Sequence, residues 1–158
     1  MFTLLSGNSE QLCTWLKTLP IPKPGTTYFH FLSSHDRTNR EQLDYEGLKN
    51  SLHKTSSRAS IFNEYICTLS LRKAHARFSV QASQQIIFLD QRIFCIKRCA
   101  PDGSETLYAL FNISSEEVKL EDSWLEGVDI LHAESLGRSI TLQPYGYRWI
   151  VSTQGEVG

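Results

Sequence analysis

Apolar positions in the first part of the chain recur at helical spacing. Asn8 and Ser9 are capping candidates at the start of NSEQLCTWLKT, residues 8–18. The prolines of PIPKPG end this segment, because proline cannot continue a helix. We therefore predict a first helix over residues 8–18 with one packing face, formed by Leu12, Trp15, Leu16 and Leu19.

Two more helices are predicted before residue 78, both after the charged tract that follows Asp36. Asp44 can cap a short helix that runs to about residue 53, although Gly47 weakens it. A stronger helix begins at Ser57 and ends in a basic turn, which the helix dipole favours. Its predicted packing face contains Ile61, Phe62, Tyr65, Ile66, Leu69 and Ala74. Between the first and second helices, the β-branched and aromatic run TTYFHFL predicts one short strand.

The periodicity changes from helical to alternating near residues 79–85. After this point the chain contains short β-rich runs separated by turn residues: QIIFL, RIFCIKRC, ETLYALFN, EEVKL, GVDIL, SITL and YRWIV. Asp102-Gly103 between the second and third runs predicts a hairpin. In RIFCIKR both faces carry apolar residues, so we expect both to be partly covered. The pattern predicts an α+β protein with an antiparallel sheet or sandwich at its C-terminal end.

Composition and charge exclude several classes of protein. The 158 residues are 41% apolar with a formal net charge of -1, so there is no charge-based reason to expect nucleic acid or an anionic membrane as partner. No run approaches the roughly 18 apolar residues of a membrane span, and MFTLLSGNSEQ is too short in apolar residues for a signal peptide. The four cysteines lack C-x-x-C spacing, and they are less dense than in a secreted, disulfide-rich scaffold. We expect reduced thiols and a cytoplasmic location.

A His35-Asp36 pair follows the predicted strand after two serines. One interpretation is a turn at the end of the strand, with Asp36 capping a helix that begins near Thr38. The other is a corner of an active site, because catalytic groups of α/β barrels lie at the carboxyl ends of strands. His30, inside the predicted strand, is interpreted as a packed side chain rather than a ligand. His53, His75 and His132 lack i,i+4 pairing, so we predict no metal site, and we predict no cofactor. Arg37, Arg40 and Glu41 are interpreted as solvated surface charge rather than phosphate or sugar contacts.

Several segments are similar to glycoside hydrolase family thirteen, the α-amylase family, in its sucrose-phosphorylase-like branch. LLSGNSEQLCTWLKTLPIPKPGTTYFHFLSSHD resembles the sixth barrel helix, a loop and the seventh strand with the HD motif. TNREQLDYEGLKNSL resembles the stretch before the last barrel helix. SIFNEYICTLSLRKAHARFSVQASQQIIFLDQRIFCIKR resembles that helix and its exit into the C-terminal domain. GSETLYALFNISSEEVKL and SITLQPYGYRWI resemble the terminal β-domain. The resemblance implies a remnant of a (β/α)8 barrel, one strand and about three helices in residues 1–78, followed by a β-domain in residues 84–153.

The resemblance also implies a chemical role for the HD pair. Retaining enzymes of this type use a carboxylate nucleophile and a carboxyl acid/base around an oxocarbenium-like transition state. Asp36 would be the third carboxylate, which stabilises the transition state, and His35 would hydrogen-bond the same sugar. The substrates of such a parent enzyme would be an α-glucoside and inorganic phosphate.

The family's nucleophile and acid/base belong to strands for which this sequence has no counterpart. The pair is also followed at once by Arg37-Thr38 instead of a glycine, a long loop and an eighth strand. We therefore expect the chain to be inactive by itself, as the C-terminal part of an α-glucosyl-transferring phosphorylase. The alternative is a non-catalytic β-domain that acts as a folding, interaction or weak carbohydrate-binding module.

Packing considerations add a further expectation. Barrel-derived elements without neighbours would leave apolar side chains exposed and could associate through them: Trp15, Phe29, Phe31, Ile61 and Tyr65. We predict a stable C-terminal sheet and a loosely packed helical part. Trp149 is expected in the core of the β-domain, and Trp124 is the better candidate for an exposed sugar-stacking ring.

Overall fold

The structure is a computed structural model that describes residues 6–23, 26, 44–52 and 56–152. The predicted strand TTYFHFL lies, apart from Thr26, outside the described residues. Two of the five side chains expected to be exposed, Phe29 and Phe31, lie outside them as well.

The three predicted helices are present, with boundaries close to those predicted. They are α1 (Glu10–Thr18), α2 (Tyr45–Leu52) and α3 (Ser57–Ala74). Asp44 caps α2 as predicted, because its Oδ1 accepts a hydrogen bond of 2.9 Å from the Gly47 N–H. Ser56 caps α3, with its Oγ accepting from the Ala59 N–H at 3.2 Å. No described helix is long and apolar enough to cross a membrane.

Of the two capping candidates, Asn8 accepts a hydrogen bond of 2.8 Å from the Glu10 N–H at the start of α1, as predicted. The prediction was wrong for Ser9, which does not cap the helix with its side chain. Its Oγ instead donates to the Ile93 carbonyl at 2.9 Å, and its N–H donates to the Gln91 carbonyl at 2.7 Å. The side chain is fully buried. A buried hydroxyl needs a partner, and the sheet supplies one. Ser9 therefore fastens the start of α1 to the sheet.

Replacing Ser9 with alanine should lower the free energy of unfolding by about 1 to 2 kcal/mol, because the Ile93 carbonyl loses a buried hydrogen-bond donor. Urea unfolding followed by circular dichroism measures the change. Ser60→Ala, at an exposed position of α3, is the matched control and should change the value by less than about 0.5 kcal/mol. Equal effects of the two substitutions would contradict the fastening role of Ser9.

The described residues after position 78 form eight strands, seven of which correspond to the predicted runs. They are β1 (Ser83–Ile87), β2 (Ile93–Cys99), β3 (Thr106–Asn112), β4 (Val118–Glu121), β5 (Gly127–Asp129), β6 (Glu134–Leu136), β7 (Ser139–Leu142) and β8 (Tyr147–Ser152). A six-stranded sheet has the order β1-β2-β3-β8-β5-β6, and β4 pairs with β7 in a second sheet. All pairs are antiparallel. The predicted α+β fold with an antiparallel sheet is confirmed.

The predicted hairpin between β2 and β3 is also confirmed. Gly103 has a φ of 71°, which glycine adopts without a steric penalty, and its N–H donates to the Ala100 carbonyl at 2.9 Å. The register pairs Cys99 with Thr106 across the turn. Strand β6 was not predicted. It is three residues long and exists through its pairing with β5, for example Val128 with Ser135.

Both faces of the large sheet are covered. Between the two sheets lies the main core, made of Ile93, Cys95, Leu110, Val118, Leu125, Ile140, Leu142 and Ile150. On the opposite face Leu107, Ala109 and Trp149 pack against Leu71 of α3 and Phe78. The expectation that both faces of β2 would be partly covered is confirmed, because its residues are buried or half-buried. The burial of Trp149, which is 8% exposed, is confirmed as well.

The predicted packing face of α3 is not buried, contrary to what its amphipathic pattern alone suggests. Ile61 is 68% exposed, Tyr65 52% and Phe62 45%, and Ala59 is the buried residue of this helix. Trp15 of α1 is 54% exposed. The expected exposure of Trp15, Ile61 and Tyr65 is therefore confirmed, because no described element covers them.

A polar latch joins the end of α3 to the large sheet. Arg77 is 2% exposed, and its Nε and Nη2 donate to Glu105 at 2.9 and 2.8 Å. Arg98 of β2 donates from Nε and Nη2 to the carbonyls of Arg77 and Ser79 at 3.0 and 2.8 Å. Burial, and then the positive charge of Arg72, lower the pKa of Arg98. We call these contacts of Arg77 and Arg98 the arginine latch.

Candidate functional site

The two predicted site residues, His35 and Asp36, lie outside the described residues. The same holds for His30, Arg37, Arg40, Glu41 and His53. Their assigned roles stay predictions.

The described part of the chain contains an open cleft of about 450 Å³ between α3 and the edge of the β structure. It is lined from four places: the middle of α3, the turn after β5, the end of β7 and the start of β8. The lining residues are Glu64, Cys67, Thr68, Leu131, His132, Thr141, Leu142, Gln143, Gly146, Tyr147 and Arg148. Residues far apart in the sequence are thus brought to one cleft.

Asp129, at the end of β5, organises one wall of the cleft. It is fully buried, and its Oδ1 accepts from the N–H groups of Leu131 and Trp149 at 3.1 and 3.2 Å. Its Oδ2 accepts from Nδ1 of His132 at 2.6 Å and from Nη1 of Arg148 at 3.0 Å. With a carboxylate as partner, Nδ1 carries the proton, and a neutral His132 ring then has Nε2 as an acceptor.

Arg148 is held between two carboxylates. Its Nη1 contacts Asp129 and also donates to Glu134 of β6. Burial disfavours the charged guanidinium, but the hydrogen bonds and charges of Glu134 and Asp129 outweigh it and raise the pKa of Arg148. The guanidinium is fixed in place and remains cationic.

Tyr147 and Glu64 meet across the cleft. The Tyr147 hydroxyl donates to Oε2 of Glu64 at 3.3 Å, which links β8 to α3. Burial first, then the negative charge of Glu64 and the hydrogen bond to it, raise the pKa of Tyr147, so the phenol is protonated at neutral pH. The Tyr147 ring stacks on Phe111, with centroids 6.3 Å apart and planes inclined by 24°.

Both turns that border the cleft contain a residue in the left-handed region. Ala133, after His132, has a φ of 53°, and Tyr145, after the end of β7, has a φ of 55°. Among the described residues these are the non-glycine positions with positive φ. Such conformations carry strain and concentrate at functional sites.

The cleft offers several hydrogen-bonding groups. The described residues contain no group of three His, Cys, Asp or Glu side chains placed to hold a metal ion. Trp124 is not an open stacking platform either. It is half-buried and stacks on Tyr108 with centroids 4.3 Å apart. The arrangement can bind a ligand through paired polar groups around an aromatic ring.

The sequence interpretation did not select the cleft residues. His132 was considered and set aside, because no second histidine lies four residues away. The informative signal was Asp129, three residues before it and directly after a β-rich run. Glu64, Gln143 and Tyr147 carry no local signal, since only the fold brings them together.

Comparison with curated proteins gives one relative of stated activity. The chain is 30% identical over 80 residues to a glucosylglycerate phosphorylase of Spirochaeta thermophila. The match covers 50% of this chain and 14% of the relative, so the chain spans about a seventh of that protein's length. No protein-family model matches the chain.

Solved structures show the same fold as part of larger proteins. AmyP in complex with maltose matches with a TM-score of 0.53 at 16% identity, over 65% of this chain and 22% of AmyP. A MutB mutant from crystals soaked with trehalulose matches with a TM-score of 0.51 at 17% identity, over 65% of this chain and 19% of MutB. A MutB mutant in complex with sucrose gives a TM-score of 0.51 at 16% identity. The predicted resemblance to the C-terminal part of larger sugar-acting enzymes agrees with these matches.

Proposed function

We propose that this chain is the C-terminal part of an α-glucosyl-transferring enzyme of the sucrose-phosphorylase-like branch and that it does not turn over substrate by itself. The observation that carries the proposal is its 30% identity to a phosphorylase of which it spans 14%. In the complete enzyme, Asp36 stabilises the developing positive charge on the glucosyl ring and His35 hydrogen-bonds the same sugar. Phosphate accepts the glucosyl group.

The exposed apolar side chains support this proposal. The face of α3 that carries Ile61, Phe62 and Tyr65 is suited to packing against protein rather than water. In our proposal this face and Trp15 of α1 contact the remainder of the catalytic barrel, on the same or on another polypeptide. The division into a barrel remnant, residues 1–78, and a β-domain, residues 84–153, is part of the same proposal. A cytoplasmic location agrees with the unpaired state of the cysteines Cys13, Cys67, Cys95 and Cys99.

A chimera tests the role of Asp36 directly. Residues 4–36 of this chain would replace the corresponding segment of glucosylglycerate phosphorylase, and phosphorolysis would be followed by release of the glucosyl phosphate. We expect an active chimera in which Asp36→Asn lowers kcat by about 10²-fold or more, the usual effect of removing a group that stabilises transition-state charge. Glu10→Gln, which alters an exposed carboxylate of α1, is the matched control and should leave kcat unchanged.

The isolated 158-residue chain is assayed in parallel with sucrose and inorganic phosphate. We expect no phosphorolysis, because one carboxylate cannot replace a nucleophile and an acid/base. An Asp36→Asn chimera as active as its parent would overturn the role of Asp36. Turnover by the isolated chain that Asp36→Asn abolishes would overturn its inactivity.

The second candidate, a non-catalytic module, is favoured by one observation. The core between the two sheets is complete, with Leu110, Leu125 and Ile150 fully buried. With this core the β structure can fold and present a binding surface in the absence of a complete active site.

A further inference from the structure

We propose that the cleft between α3 and β8 binds a neutral sugar, one or two pyranose rings in size. This site would give the non-catalytic candidate its carbohydrate affinity, and it does not depend on the proposed glucosyl transfer. The relevant side chains are Glu64, His132, Gln143, Tyr147 and Arg148.

The size of the cleft suits a small ligand. Its volume of about 450 Å³ lies within the range of roughly 300 to 1,000 Å³ that small-molecule sites occupy. Its lining is mixed, as is usual for such sites, which combine apolar walls with a few placed polar groups. Leu131, Leu142 and the Tyr147 ring provide apolar surface, and Glu64, His132, Gln143 and Arg148 provide polar groups.

The polar side chains have the properties that a polyhydroxylated ligand requires. Each sugar hydroxyl donates one hydrogen bond and accepts others, so planar groups that offer adjacent donors or acceptors match neighbouring hydroxyls. The cleft contains three such groups, the carboxylate of Glu64, the amide of Gln143 and the guanidinium of Arg148. The Tyr147 ring, 37% exposed and supported by Phe111, offers a flat apolar surface for the C–H face of a pyranose.

These groups are held in position before any ligand arrives. Asp129 fixes His132 and Arg148, as described above. Gln143 donates from Nε2 to Glu117 at 2.7 Å, and Tyr147 donates to Glu64. Fixed side chains lose less conformational entropy when a ligand binds. The left-handed turn residues at both borders are consistent with loops shaped for this purpose.

The charge of the surroundings argues against an anion. Four carboxylates line the cleft or contact its lining directly: Glu64, Glu117, Asp129 and Glu134. Arg148 is the opposing guanidinium, and it is already paired with two of them. The excess of negative charge around the cleft repels inorganic phosphate but does not repel an uncharged ligand.

An NMR titration of the full 158-residue chain, labelled with ¹⁵N, tests the proposal. Maltose and sucrose are the sugar probes, inorganic phosphate is the anion and spermidine is the cation. We expect saturable shifts with at least one sugar, confined to α3 near Glu64 and to residues 131–133 and 141–148. Phosphate and spermidine should not compete with the sugar.

Variants locate the binding and separate it from the proposed catalytic role. Glu64→Ala, on an exposed helix position, and Tyr147→Ala should each weaken sugar binding by about ten-fold or more. Tyr45→Ala, which removes an exposed ring of α2 outside the lining, and Asp36→Asn should change it by less than about two-fold. Circular dichroism confirms that each variant is folded.

Each remaining outcome overturns the proposal. These are the absence of saturable shifts with either sugar, shifts that map elsewhere, and tighter binding of phosphate or spermidine. Loss of binding in Asp36→Asn alone would place the sugar at the HD pair, which supports the proposed function and rejects the cleft.

Discussion

Replacing Asp129 with alanine should lower the free energy of unfolding by about 3 kcal/mol or more, a large part of the total stability of a domain of this size. The substitution leaves the buried N–H of Trp149 and the half-buried N–H of Leu131 without their acceptor, and loss of a buried partner costs about 1 to 3 kcal/mol. It also removes a carboxylate partner from His132 and Arg148. Urea unfolding followed by tryptophan fluorescence measures the loss.

Glu134→Ala is the matched control for this substitution. Glu134 contacts the same guanidinium of Arg148, but its side chain is 52% exposed. An exposed ion pair contributes up to about 1 kcal/mol, so a small change is expected. If Asp129→Ala lost no more stability than Glu134→Ala, the four hydrogen bonds to Asp129 would not be organising this wall of the cleft.

Gly127→Ala should lower the free energy of unfolding by about 3 kcal/mol, through a clash with backbone. A Cβ added at Gly127 would lie 2.0 Å from the Val151 carbonyl oxygen and 2.8 Å from its carbon. These atoms belong to β8, which pairs with β5 and cannot rotate away as a side chain can. Strand β5 would have to separate from β8, at the cost expected for an overpacked interior position. Thermal unfolding followed by circular dichroism measures the effect.

Gly137→Ala is the control, because a Cβ added there meets nothing within 4 Å. We expect it to change stability by less than about 0.5 kcal/mol. Since β5 also carries Asp129, Gly127→Ala should in addition weaken sugar binding in the cleft. A fully stable Gly127→Ala protein would show that β5 does not approach β8 as closely as the structure describes.

Local features of the fold were predictable because their causes are local. The Asp44 cap and the Asp102-Gly103 turn depend on a few adjacent residues, and both were predicted correctly. Seven of the eight strands carry enough β-branched and aromatic residues to be recognised. Strand β6 does not, because its three residues become a strand only by pairing with β5.

Long-range features were predicted poorly for the same physical reason. The local sequence predicts Ser9 as a helix cap, yet its hydrogen-bond acceptor, the Ile93 carbonyl, lies 84 residues away in the sequence. The periodicity of α3 shows which side is apolar but not whether a neighbour covers it. The cleft combines α3 with three β segments, so no short sequence motif identifies Glu64 or Tyr147 as cleft residues. His35 and Asp36 lie outside the described residues, so their predicted roles rest on the family resemblance alone.

The arginine latch implies that α3 can unfold locally at a lower free-energy cost than the large sheet. Its contacts concentrate the attachment of the end of α3 at one point, through Arg77 and Glu105 on one side and Arg98 on the other. Beyond that point α3 has largely exposed side chains, whereas the strands are paired and buried. Amide protons of α3 should therefore exchange with solvent deuterium through partial unfolding. Those of β3 and β8 should exchange more slowly, because their exchange requires unfolding of the whole sheet.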